Sequence, residues 1–143
     1  MCLTSCAENE IRPGKYFSGS FSVTFDYTVG KDTLSGIADR TDDGKYTIMF
    51  YYPDTVKNLK MTYYLGGITI TYGEIRYDAE SSLCEKAVIT VFSEVCENII
   101  TCDSRQGKIR NTGYTVHLSD TAPTGIDLAD GRRFCFRDYV KNK

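Results

Sequence analysis

From Tyr16 to Val29 the chain reads YFSGSFSVTFDYTV, in which Phe17, Phe21, Val23, Phe25, Tyr27 and Val29 are apolar and Ser18, Ser20, Ser22, Thr24, Asp26 and Thr28 are polar. A period of two sends successive side chains to opposite faces of a strand, so the run predicts one long strand with a single buried face. Strands usually stop after about five or six residues. One that continues this far predicts a strongly twisted or curved sheet. The same alternation returns over Leu34–Asp39, over Tyr46, Ile48, Phe50 and Tyr52 up to Pro53, over Leu59–Leu65, and over Ile68–Tyr72. Gly66–Gly67 between the last two runs reads as the two-residue turn of a hairpin. Short connections of this kind predict an antiparallel meander.

The period changes once. In SSLCEKAVITVFSEVCENII, the residues Ala87, Val88, Val91, Phe92, Val95, Cys96, Ile99 and Ile100 form the stripe of an amphipathic helix. Ser82 and Glu85 have the spacing of a capping box at its start. The β-branched residues of AVITVF favour a strand, but the helical period holds for about four turns and decides the assignment. Ile109–Arg110, Tyr114–Leu118, Ile126–Leu128 and Phe134–Phe136 then predict further strands, broken at Asn111–Gly113, Pro123–Gly125 and Asp130–Gly131. The expected fold is mainly β with one helix (α+β): a strongly curved antiparallel sheet, or half-barrel, with the amphipathic helix packed on its concave face.

Composition narrows the function classes. A net charge of −2 offers no basic face for a phosphate backbone, so no nucleic-acid partner is expected. The one basic cluster, Arg132, Arg133, Arg137, Lys141 and Lys143, includes Asp138 and reads as a solvated end. No stretch approaches the about 18 apolar residues of a membrane helix. His117 is the only histidine, on the strand face opposite Tyr114, Val116 and Leu118. It has no nucleophile or acid beside it in sequence, and no Gly-rich phosphate loop is present. No enzyme activity and no cofactor are expected. No CxxC or HxxxH spacing suggests a metal site.

Six cysteines are many for a cytosolic domain and ordinary for an exported one. A helix running from Ser82 would separate Cys84 from Cys96 by about 18 Å. Bridges, if they form, are then Cys84 with Cys135 and Cys96 with Cys102. Cys96 on the apolar stripe reads equally well as a buried free thiol. Eleven tyrosines and seven phenylalanines, with no tryptophan, line the strands. Phe21, Phe25, Ile48, Phe50, Met61 and Tyr63 share the apolar phase and are the candidate lining of a ligand cavity; packing against the helix is the competing role. Tyr51 and Tyr64 lie on the polar phase and suit contact with a partner.

The order of these features resembles a known family. LTSC at Leu3–Cys6 has the form of a lipobox. A long first strand (FSGSFSVTFDYTV), the segment YTIMFYYPD, the hairpin VKNLKMTYYLGGITITYGEIRY, one helix and the closing GYTVHLSDTAPTGIDLADGRRFCFRDY follow it. Together they are similar to the small LolA-like lipoproteins of Gram-positive bacteria. The resemblance implies a lipoprotein-carrier-like half-barrel whose concave face is closed by helical lid elements. It also implies that residues 1–6 are the remnant of a lipoprotein signal peptide, residues 7–15 a tether, and residues 16–143 a single LolA-like domain. Cys6 is then the lipidated residue, holding the protein in the cell envelope at the outer face of the cytoplasmic membrane. The expected partners are the membrane, through that cysteine, and a lipid or lipoprotein. The expected function is that of a non-enzymatic, lipid-anchored extracytoplasmic protein with an apolar ligand on its curved sheet. The alternative is an envelope protein–protein interaction module with a filled core and no ligand.

Overall fold

A computed structural model describes residues 12–142. Ten strands form one open antiparallel sheet: β1 (Phe21–Val29), β2 (Asp32–Arg40), β3 (Tyr46–Tyr52), β4 (Lys60–Tyr64), β5 (Gly67–Tyr72), β6 (Ile75–Glu80), β7 (Gln106–Ile109), β8 (Thr112–Leu118), β9 (Pro123–Leu128) and β10 (Arg133–Lys141). Their order across the sheet is β6-β5-β4-β3-β2-β1-β10-β9-β8-β7. A four-residue helix, α1 (Gly14–Phe17), precedes the sheet, and the 15-residue α2 (Val88–Cys102) lies between β6 and β7. The chain is thus two meanders joined through β1 and β10, with the helix inserted between them. No helix among the described residues is long and apolar enough to cross a membrane.

The strand expected from Tyr16 begins only at Phe21, because Gly14–Phe17 forms a short helix, and within β1 the alternation holds as far as Tyr27. Phe21, Val23, Phe25 and Tyr27 are buried, and Ser22, Thr24, Asp26 and Thr28 are only partly covered. Register carries the apolar phase across the sheet. Phe25 lies opposite Gly36, which lies opposite Phe50. A Cβ on Gly36 would come within 2.5 Å of the Met49 carbonyl oxygen. Glycine therefore lets β2 and β3 close up at this point, and the Phe25 and Phe50 rings meet edge to face across it with centroids 6.2 Å apart.

Phe92, on the buried face of α2, fills the concavity. Its ring lies 5.6 Å from Phe134, 5.9 Å from Tyr46, 6.2 Å from Phe136 and 6.4 Å from Phe21, centroid to centroid. Val88, Ile89, Val91, Val95, Cys96 and Ile99 are buried beside it. A polar contact fixes the far half of the helix. The Arg40 guanidinium, inside the sheet's concave rim, donates to Glu97 at 3.1 Å, to the Tyr46 hydroxyl at 2.9 Å and to the Gly19 carbonyl at 2.7 Å. The Tyr46 hydroxyl in turn donates to Glu97 at 2.5 Å. Burial, then the neighbouring Cys96 and Glu97, push the Tyr46 pKa far up, so this phenol stays a donor.

Several local expectations shift. The hairpin turn is Leu65–Gly66 rather than Gly66–Gly67: both residues have positive φ, and Leu65 is 84% exposed. β6 carries no clean alternation and is absent from the expected elements; as an edge strand it has one neighbour and little to bury. The helix starts at Val88 rather than near Ser82. Ser81–Leu83 is instead a separate 3-10 turn, and Ala87 occupies the N-cap with no side-chain cap. Residues expected as tether are described from Arg12 onward, and Pro13 and Gly14 are buried against the domain. There the Gly14 amide donates to Asp103 at 2.9 Å, just beyond α2.

Neither conditional bridge is present: Cys84, Cys96, Cys102 and Cys135 are free thiols, as the buried-thiol reading of Cys96 has it. Cys96 and Cys102 lie on the same helix, and six residues at about 1.5 Å each give a rise of about 9 Å, too far for a bridge. Cys135 is exposed on the outer phase of β10, between buried Phe134 and Phe136, whereas Cys84 packs against the core. Opposite faces of the sheet cannot be bridged.

Phe92→Ala should lower unfolding free energy by about 3–5 kcal/mol, measured by urea denaturation, because the cavity opens among large rings that cannot collapse. Alkylation of the native protein, mapped by mass spectrometry, should modify Cys102 and Cys135 first and leave Cys96 untouched until unfolding, since burial holds its thiol pKa well above the usual value. A linked Cys96–Cys102 peptide would contradict the helix.

Candidate functional site

The residues expected to line a cavity are mostly core. Phe21, Phe25, Ile48 and Phe50 lie under α2 with at most 2% of their surface exposed. Met61 and Tyr63 are half-buried at its flank, and Tyr63 lines a shallow pocket beside Glu94 and Arg110. The concave face beneath the helix is filled.

Open space lies instead where the helix begins. A cleft of about 840 Å³ is bounded by the β1–β2 hairpin, the end of β3, the start of α2 and the β9–β10 turn. Tyr27 and its cross-strand neighbour Leu34 face it from β1 and β2, beside Val88 at the start of α2. Val29, Leu34, Tyr52, Pro53 and Val88 supply apolar wall, and Tyr27 supplies a ring packed 4.5 Å from Phe134. Burial pushes the Tyr27 pKa up against the pull of Arg132, so a neutral hydroxyl remains at the wall. Arg132 pairs with Asp130 at 2.7 Å. Lys31, Asp32 and Lys86 complete the rim. Such a volume falls within the about 300–1,000 Å³ of sites for small organic ligands.

His117 is on an open strand surface, its Nε2 2.9 Å from Asp127, which also accepts from Arg133 at 2.8 Å. Desolvation would raise the Asp127 pKa, but the hydrogen bonds from His117 and Arg133 outweigh it and hold the carboxyl below its usual value. A polar cleft of about 630 Å³ joins His117 to the end of α2 at Cys102 and Ser104. No hydrogen bond links His117 to either among the described residues. No group of three or more His, Cys, Asp or Glu side chains among the described residues is placed to hold a metal ion. Tyr51 and Tyr64 are each 40% exposed, and the Tyr51 hydroxyl accepts from Arg137. Cys6 lies outside the described residues.

Sequence patterning does not single out the cleft at the helix start, because its residues belong to turns and strand ends. The signal available was the apolar phase itself, which continues through Tyr27 to Val29, the first position of β1 on that phase to be left exposed.

No family model and no curated protein matches the sequence. Solved structures do match the fold. A LolA superfamily protein from Nitrosomonas europaea superposes with a TM-score of 0.53 over 94% of this chain and 95% of its own, at 10% sequence identity. An uncharacterized conserved protein from Thermus thermophilus gives a TM-score of 0.56 over 97% of this chain and 88% of its own, at 8% identity. The protein has a LolA-like fold: a curved, open antiparallel sheet with a helix on its inner face.

Proposed function

We propose that this protein is a non-enzymatic, lipid-anchored extracytoplasmic binding protein, of the kind found among small Gram-positive lipoproteins, that holds a lipid or other apolar ligand. The observation that carries the reading is the cleft at the start of α2, where apolar side chains remain uncovered on a half-barrel whose centre is packed solid. The LolA-like fold supports it, because an open curved sheet leaves space at its mouth without any cost to the core. LTSC supports the anchor: acylation of Cys6 would keep the domain at the outer face of the cytoplasmic membrane, in the cell envelope, within reach of lipids.

A second reading keeps a specific observation. The filled concave face is what an interaction module without ligand would have, and Tyr51 and Tyr64 stay exposed for a partner in the envelope.

Native mass spectrometry of protein incubated with palmitoyl lipids should show a one-to-one adduct that leaves on denaturation. Leu34→Trp, which fills the cleft, should abolish it with little change in stability. Phe50→Ala should instead cost about 3–5 kcal/mol of stability and leave the adduct, since this ring belongs to the core. A bare wild-type mass after added lipid would favour the interaction module. The anchor is tested separately: cells expressing the protein from its native locus and fed labelled palmitate should label it, and Cys6→Ala should not be labelled.

A further inference from the structure

The cleft carries charges that binding of a purely apolar ligand leaves unused. Its wall holds three cations, Lys31, Lys86 and Arg132, against two carboxylates, Asp32 and Asp130. Arg132 and Asp130 satisfy each other: Nε donates to both carboxylate oxygens, at 2.9 and 3.1 Å, and the arginine side chain is only 19% exposed. Lys31 and Lys86 have no ion pair among the described residues. They come from different elements, the β1–β2 turn and the segment entering α2, and both are exposed at the rim of the same apolar space. Asp32 is the one acid left against them.

We infer that the cleft selects a single-chain amphiphile ending in an anionic group, a carboxylate or phosphate monoester. The tail lies against Tyr27, Leu34, Pro53 and Val88, and the headgroup is held at the rim by Lys31 and Lys86. This rests on the cleft binding an apolar ligand at all, and it adds which end group that ligand bears. The physical reason is an asymmetry between the parts of such a molecule. A hydrocarbon tail gains from any dry wall. An anionic head at the mouth stays partly hydrated and gains from two unspent ammonium groups on flexible stems that can reach it. A neutral head gains nothing from them.

Calorimetric titration at low salt compares dodecanoate, dodecyl phosphate and dodecanol, with acetate and inorganic phosphate as heads without tails. Both anionic amphiphiles should bind about two- to fivefold more tightly than the alcohol, the scale of one partly exposed charge pair. The preference should fade in high salt. Lys31→Gln combined with Lys86→Gln should remove it while the affinity for dodecanol stays the same; both lysines are exposed, so the unfolding midpoint serves as a control for folding. Equal binding of acid and alcohol would overturn the head assignment and leave apolar binding standing. A preference that survives the double substitution would overturn the role of the lysines. Acetate or phosphate binding as tightly as their dodecyl forms would make this a free-anion site and overturn the amphiphile. No binding of any dodecyl compound would remove the apolar reading along with this one.

Discussion

The packing of Phe92 against the half-barrel is the contact on which the rest of the structure depends. A curved sheet with one apolar face must cover that face, and the described residues include one long helix with which to do it. Phe92 meets rings from β1, β3 and β10 together, so a single side chain joins the two meanders that flank the helix in sequence. Burial of this many aromatic faces is the main source of stability in a domain of this size. It also means that the centre of the concavity has no room for a ligand.

The two ends of α2 are held differently, and the cleft lies at the N-terminal one. At its C-terminal half, Glu97 is tied to Arg40 and Tyr46. Asp103 then leaves the helix in a left-handed conformation and accepts from Gly14. At its N-terminal end Ala87 offers no cap, the first turn holds no acid, and the buried Thr90 hydroxyl has no partner among the described residues. Uncapped first turns are the less stable end of a helix. Arg110 reaches this half from outside, pairing with Glu94 and with Glu85 just before the helix, and the cleft lies beside its first residue, Val88.

Much of this was legible in the alternation. β1 and β3 are buried at the positions their period specifies except at their ends, Val29 and Tyr52, which are exposed, and the stripe from Val88 to Ile99 is the face the helix buries. What was not legible has physical reasons. Ser82 and Glu85 carry a capping spacing, but the chain must first return from the far edge of the sheet, and a 3-10 turn takes up Ser82. β6 is an edge strand whose alternate positions need no burial. Cys96 and Cys102 are near in sequence, yet a rigid helix separates them. The candidate cavity residues were drawn from the strongest part of the apolar phase, which is the part the helix covers first. The cleft lies at the weakest part, among Tyr27, Leu34 and Tyr52, where strand ends meet a turn.

Binding at the helix start, rather than beneath the helix or on the outer face, can be read from an NMR titration of labelled protein with a spin-labelled fatty acid, followed residue by residue as paramagnetic broadening. Broadening strongest at Tyr27, Leu34, Lys86 and Val88, and weaker at Tyr46 and Tyr64, is the predicted result. Broadening centred on Tyr51 and Tyr64, or none at the start of α2, would contradict the account.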